Sequence, residues 1–252
     1  MKRTLPFTCL MALAAIGSPA LLAQEKPEAA AAAKEALPSG ESVLDKYIES
    51  IGGKEAFKKV KNAVFKGSLS AMGANIGSVT IYRAAPNLFV MELEQPMLGK
   101  ALQGFDGKNG WAFQGRPRVF SENDTNVLKN QNVFTEDWRS IYSKAETVGL
   151  ETIDGEDCYK VAVTPKAGVA LTNYYSKKSG LLLRTDIAEG GIVAQFANKD
   201  YRKVGDVLLP FQTVMSQGNL SLVTTFSEIK VNADLPPTAF DPPAEVKALL
   251  NK

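Results

Sequence analysis

The sequence predicts a mainly β protein with short helices (α+β), in which a strongly curved antiparallel sheet is covered by those helices. From residue 63 onward, short runs of β-branched and aromatic residues are broken by Gly, Asn, Asp or Pro, the pattern of an all-β meander. The breaks are too short for crossovers, so neighbouring strands must be antiparallel. About a dozen strands with one apolar face curl, so either the edges close or helices cover the concave side.

The first 23 residues have the layout of a secretory signal peptide. Met1-Lys2-Arg3 is positive, Cys9 to Ile16 is a short apolar core, and small residues follow up to Ala23. That core is shorter than the roughly 20 apolar residues that cross a membrane. We therefore expect an exported, periplasmic protein that is cleaved after Ala20 or Ala23.

Residues 24–40 are rich in Ala, Glu, Lys and Pro and have no apolar stripe, which predicts a linker. Residues 41–252 are then expected to form one domain. Removing Lys2 and Arg3 from the 29 basic residues leaves 27, which balance the 27 acidic residues. Such a balance offers no attraction for nucleic acid.

The chain contains no histidine. This removes the usual general base of hydrolases and the commonest zinc ligand. Cys158, the only cysteine after the predicted leader, lies in a strand pattern, where a thiol is typically buried and inert. No glycine-rich phosphate loop follows a strand into a helix. We predict no catalytic residues, no metal site and no cofactor, so the protein is not expected to be an enzyme.

Helices are predicted before, within and after the strands. Ser39 and Ser42 are candidate caps for a helix whose apolar residues recur at three- and four-residue spacing up to Ile51, and Gly52-Gly53 ends it. Further helical segments are predicted at Lys54–Val60, Ser121–Asn132, Thr135–Tyr142 and Glu245–Leu250.

Twelve strands are predicted from the alternation. They are Ala63–Ala71, Ile76–Arg83, Leu88–Leu93, Ala101–Phe105, Trp111–Phe113, Ala145–Ile153, Cys158–Thr164, Val169–Ser176, Leu181–Ile187, Ile192–Asn198, Val207–Met215 and Leu220–Ile229. Tight turns are expected where residues tolerate positive backbone angles, at Asp106-Gly107, Asp154-Gly155, Ser179-Gly180, Gly190-Gly191 and Gly205-Asp206.

One face of these strands is consistently bulky. Such a face either fills a core or lines a cavity, and many strands curled around few helices favour a cavity. Met97 and Leu98 lie in a predicted loop, where they form either the rim of that cavity or a partly covered core loop. The side chains expected to line the ligand site are Val79, Ile81, Phe89, Met91, Met97, Leu98, Trp111, Leu128, Trp138 and Phe211.

Five motifs in order resemble the exported LolA-like, outer-membrane lipoprotein-sorting superfamily, especially its larger members. They are Ile51-Gly52-Gly53-Lys54-Glu55-Ala56-Phe57, Gly104-Phe105-Asp106-Gly107 with Trp111, Asp154-Gly155 followed by Tyr159-Lys160-Val161, Tyr201-Arg202 with Leu209-Pro210-Phe211, and Phe240-Asp241-Pro242-Pro243. The resemblance implies an unclosed sheet wrapped around helices, with Ser121–Tyr142 in the covering and acyl chains held between sheet and helices. Such carriers hold a lid through an interior arginine, and Arg83 is the nearest candidate by strand placement.

Two hypotheses for function follow. The first is a non-catalytic carrier or sensor that binds lipid, or the acyl part of a lipoprotein, in an apolar cavity. The alternative is a protein-interaction module with a filled core that supports a secreted peptidase or an envelope complex. The expected partners are thus a lipid or acylated lipoprotein, or an envelope protein, with peripheral or no membrane contact and no nucleic acid.

Overall fold

The computed structural model describes residues 36–129 and 137–251, and one antiparallel sheet of thirteen strands dominates these residues. In chain order the strands are β1 Asn62–Ala71, β2 Ala74–Ala84, β3 Leu88–Gln95, β4 Gly99–Phe105, β5 Gly110–Phe113, β6 Pro117–Val119, β7 Tyr142–Ile153, β8 Glu156–Pro165, β9 Leu171–Ser176, β10 Leu182–Glu189, β11 Ile192–Val204, β12 Val207–Gln217 and β13 Leu220–Val231. All twelve predicted strands are present. Strand β6 was not predicted, because it has only three residues and begins with proline.

The strands follow the order β6-β5-β4-β3-β2-β1-β13-β12-β11-β10-β9-β8-β7. Strand β1 pairs with β13, which joins the first half of the chain to the second. In the described ranges β6 and β7 form the two edges and do not pair with each other, so the sheet stays open. This confirms the curved, unclosed sheet that the resemblance implied.

The predicted tight turns are confirmed by the backbone angles. Asp154 and Gly155 both have positive φ, 51° and 84°, as a two-residue hairpin turn requires. Positive φ also occurs at the other predicted turns, at Gly107, Gly180, Gly190, Gly191 and Gly205.

Two helices, α1 (Gly40–Ser50) and α2 (Lys54–Lys58), pack on one face of the sheet, here called the inner face. The Ser39 side chain caps α1 by accepting a hydrogen bond from the Ser42 amide, as predicted. Between the helices, Gly52 has φ 130°, and a Cβ there would lie 2.6 Å from the Asp206 carbonyl oxygen. Only glycine fits this approach, which brings the helix pair against the β11–β12 hairpin.

Helix α3 (Glu122–Lys129) covers the inner face at the opposite side of the sheet, over β4 and β5. Its Leu128 packs with Phe105 and Phe120. A Cβ at Gly110 would lie 2.6 Å from Phe120 Cδ2 and 3.0 Å from Leu128 Cδ1, so the chain approaches β5 closely at this point.

Helix α4 (Ala244–Leu250) lies on the opposite, outer face. Its fully buried Val246 packs with Val90 and Trp111, whose side chains point away from α3. The predicted helix Glu245–Leu250 is therefore present, but it covers the convex side of the sheet.

The prediction of a helix over Thr135–Tyr142 is wrong for residues 137–142, the part that the structure describes. Only Trp138–Ser140 forms a 3-10 helix, with Asp137 as its cap, and Tyr142 begins β7 by pairing with Pro165. The spacing of Trp138, Ile141 and Tyr142 fits a helix, but strand pairing at the sheet edge overrides it.

The predicted leader, the linker up to residue 35, and residues 130–136 of the predicted helices lie outside the described ranges. Within those ranges, no helix combines the length and the apolar character that crossing a bilayer requires.

Candidate ligand-binding surface

The strand register assembles rows of apolar side chains on the inner face. Phe65 pairs with Ile81, and Ile81 pairs with Met91, so these three side chains lie side by side across β1, β2 and β3. All three are only partly buried. A second row, one step along the strands, is formed by Val79 and Leu93. Together they form a continuous apolar surface, because directly opposed residues of antiparallel strands share a face.

Strand β13 extends this surface. Ile229 pairs with Phe65, and the Phe226 ring lies 5.4 Å from the Phe65 ring in a tilted arrangement. Both β13 side chains are buried. The surface formed by Phe65, Val79, Ile81, Met91, Leu93, Phe226 and Ile229 is here called the inner groove.

Arg83 lies at one end of the inner groove. It shares a row with Ala63 and Phe89, and its guanidinium lies 5.4 Å from the centre of the Phe89 ring. It forms no hydrogen bond or ion pair with any residue in 36–129 or 137–251. Burial lowers the pKa of Arg83, but a guanidinium remains charged at neutral pH. The inner face therefore contains a cation that lacks an oxygen partner among the described residues.

A polar cluster joins α1 to the segment before β7. Trp138 Nε1 donates a hydrogen bond of 2.8 Å to Asp45 Oδ1, and the Arg139 guanidinium lies 4.2 Å over the Trp138 ring while bonding the same carboxylate. Burial raises the pKa of Asp45, but the hydrogen bonds from Arg139 and Trp138 outweigh it and lower the pKa overall. This cluster fixes the chain onto α1 just before β7 begins.

Four of the ten predicted site residues come together. Val79, Ile81, Phe89 and Met91 lie on the inner face of β2 and β3, next to Arg83. The groove residues on β13 and β1 were missed, because the sequence does not show that β1 and β13 pair. Alternation alone marked them as strand residues without assigning their face.

The other six predicted residues lie outside β2 and β3. Leu128 is on α3, above the inner face, and Trp138 is buried against α1. Phe211 is buried on β12, with the Arg202 guanidinium 4.6 Å over its ring. Trp111 faces outward beneath α4, so the structure separates it from the groove. Met97 and Leu98 lie at the β3–β4 turn and are 94% and 61% exposed.

Cys158 is fully buried on the outer face with Tyr174. Burial, together with the nearby Glu156 carboxylate, raises the pKa of this thiol to about 11. The thiolate is therefore scarce at neutral pH, and Cys158 is not placed to act as a nucleophile.

Comparison with solved structures shows a LolA-like fold. A DUF1329 family protein from Desulfovibrio piger matches with a TM-score of 0.59 and 15% identity, over 81% of this chain and 98% of that one. A LolA superfamily protein from Nitrosomonas europaea matches with a TM-score of 0.57 and 14% identity, over 82% and 99% of the two chains. An outer membrane lipoprotein-sorting protein domain from Vibrio parahaemolyticus matches with a TM-score of 0.56 and 12% identity, over 84% of this chain and 98% of that one.

No protein-family model matches the sequence, and no curated protein matches it. At these identities the structural likeness establishes the fold alone.

Proposed function

We propose that the protein binds the hydrocarbon chain of a lipid or of an acylated lipoprotein in the inner groove, without any covalent step. The observation that carries this proposal is the row of Phe65, Ile81 and Met91, which stays partly exposed although it lies on the helix-covered face. Side chains that only filled a core would be expected to be fully buried.

The energetics suit a carrier without charged contacts. Each buried methylene contributes about 0.8 kcal/mol, so roughly fifteen carbons supply on the order of 10 kcal/mol before ordering costs are subtracted. Arg83 would add a polar contact to an oxygen of the ligand, such as an ester carbonyl or a phosphate, because a guanidinium donates in a planar fork. The bound molecule would thus combine a hydrocarbon chain with an oxygen-rich head.

We place the protein in the periplasm. The proposal rests on the leader pattern of residues 1–23. It is supported by the LolA-like fold, which a lipoprotein-sorting domain shares. The absence of histidine, together with the raised pKa of Cys158, supports a binding role without catalysis.

The test is lipid retention by the exported, purified protein. After incubation with phospholipid and removal of excess lipid, native mass spectrometry should detect bound lipid. Ile81→Trp should fill the groove and reduce retention by about tenfold or more. Ser78→Trp, on the outer face of the same strand, should leave it unchanged. Wild-type protein that retains no lipid would contradict the proposal.

A second candidate function is supported by one observation. Strand β7 is a twelve-residue edge strand that exposes Val148 and Leu150. A long unpaired edge can accept a strand from another protein. Absence of retained lipid in that experiment would favour this protein-interaction module over the carrier.

A further inference from the structure

The hairpin turns at the two ends of the sheet differ in composition. At one end, the β3–β4, β1–β2, β12–β13 and β10–β11 turns are neighbours in the strand order. The residues between these strands, 96–98, 72–73, 218–219 and 190–191, contain no Asp, Glu, Lys or Arg. We call these four turns, together with Ile192 and Val193 at the start of β11, the uncharged rim.

The turns at the other end of the sheet are mostly charged. Four of them carry the charged residues Asp106, Lys108, Asp154, Lys177, Lys178 and Asp206. The fifth, at residues 85–87, is uncharged but carries no exposed large apolar side chain. The two ends of the sheet are therefore chemically different.

The uncharged rim also exposes large apolar side chains. The exposed fractions are 90% for Met72, 94% for Met97, 61% for Leu98, 52% for Ile192 and 47% for Val193. Neighbouring hairpins are two strand spacings apart, roughly 10 Å, so the four tips extend over about 30 Å. Turn tips normally carry polar residues, and a group of exposed apolar side chains marks an interaction surface.

Charged residues lie around this rim. Arg116, in the adjacent β5–β6 turn, and Lys166, in the β8–β9 turn, are exposed and form no ion pair with a residue in the described ranges. Glu94 and Glu189 lie just behind the rim and are also exposed. The positive and negative groups nearly balance, so this end offers no strong field to a charged partner.

The shape of the rim favours a fluid partner. A protein partner of ordinary affinity needs about 800 Å² of complementary surface on each side, whereas the rim presents separate protruding tips. A lipid bilayer can close around each tip, while flanking cations meet the headgroup phosphates. We propose that the uncharged rim docks on the surface of a lipid bilayer, with Met72, Met97, Leu98, Ile192 and Val193 inserted below the headgroups.

This inference does not depend on occupancy of the inner groove, and vesicle binding tests it separately from lipid retention. The exported chain, with its N-terminus verified by mass spectrometry, should co-sediment with phosphatidylcholine vesicles. Addition of phosphatidylglycerol or of salt should change binding little, because the rim is uncharged. The double variant Met97→Glu with Leu98→Glu should bind the vesicles more weakly by about tenfold or more, since it places charge at the hydrocarbon boundary.

The matched control is Leu150→Glu, which changes a similarly exposed leucine on the β7 edge and should bind vesicles like the wild type. The exposed positions make all these variants compatible with folding, which circular dichroism verifies. Three results would overturn the proposal: no vesicle binding by the wild type, binding that requires anionic lipid and is abolished by salt, or equal binding by the rim variant. Dimerisation in solution that only the rim variant abolishes, without vesicle binding, would assign the rim to a second copy of the chain instead.

Discussion

At the scale of single residues, Arg83 is the side chain whose environment is least explained by folding alone. It lies among Ala63, Phe89 and the rest of the inner face, and burial lowers its pKa, yet no carboxylate in the described ranges neutralises it. An unpaired cation removed from water destabilises the folded chain. Such a residue is expected to gain its partner from a ligand or from a lid.

Arg83→Met should therefore separate stability from binding. We expect the ligand-free variant to unfold with a free energy about 1 kcal/mol higher than the wild type, because a partly buried unpaired charge is replaced by an apolar chain. Lipid retention should fall. Urea denaturation and native mass spectrometry measure the two effects. Lys203→Met, at an exposed position, should change neither. A destabilised Arg83→Met variant would show that Arg83 supports the fold itself.

At the scale of elements, two sets of helices cover the inner face, and they pack on the sheet to different extents. Helices α1 and α2 pack on the sheet through the large core that contains Val161, Val163 and Tyr175. Helix α3 packs through Leu128 alone among its buried residues, against Phe105 and Phe120. Fewer buried contacts make α3 the weaker of the two coverings, and so the one expected to open first.

Gly110→Ala should loosen α3. The added methyl group would lie 2.6 Å from Phe120 and 3.0 Å from Leu128, and such overpacking costs about 1–3 kcal/mol. We expect faster hydrogen exchange in residues 122–129, while exchange in α1 stays unchanged. Gly149→Ala, where no atom lies within 4 Å of the new methyl group, is the matched control. Unchanged exchange in α3 would mean that the helix tolerates the displacement.

At the scale of the whole molecule, the chain lacks the side chain that ordinarily changes charge near neutral pH. The chain has no histidine, while burial raises the pKa of Tyr47, Tyr142, Tyr175 and Tyr201. Burial favours the neutral, protonated phenol, so the folded chain keeps these protons at a pH where the unfolded chain has lost them. The stability that this provides is complete below the unfolded pKa near 10 and declines as the pH rises above it.

The free energy of unfolding should therefore vary little between about pH 6 and pH 8, and fall above about pH 10. The expected slope is about 1.4 kcal/mol per pH unit for each tyrosine that ionises only in the unfolded chain. Urea denaturation across this range measures it. Tyr47→Phe removes one such group and should make the decline shallower. A step between pH 6 and pH 8 would contradict the prediction.

The elements themselves could be predicted from the sequence because their causes are local. Alternation and turn residues such as Asp154-Gly155 identified twelve strands, and Ser39 with Gly52-Gly53 marked the ends of α1. The composition also argued against the usual general base of hydrolases, since the chain has no histidine. Ile81 and Met91, which were predicted to line the site, lie side by side on the inner face because their own strands alternate regularly.

Only the tertiary structure decided which face each side chain occupies and what lies opposite it. The pairing of β1 with β13 brings Phe65, Phe226 and Ile229 together in the groove. The pairing of β4 with β5 puts Trp111 on the outer face, where α4 covers it. The alignment of four uncharged turns along one rim follows from the strand order. The physical reason is that a strand's alternation has a period of two and fixes two faces, whereas pairing between distant segments decides which face is inner and which turns are neighbours.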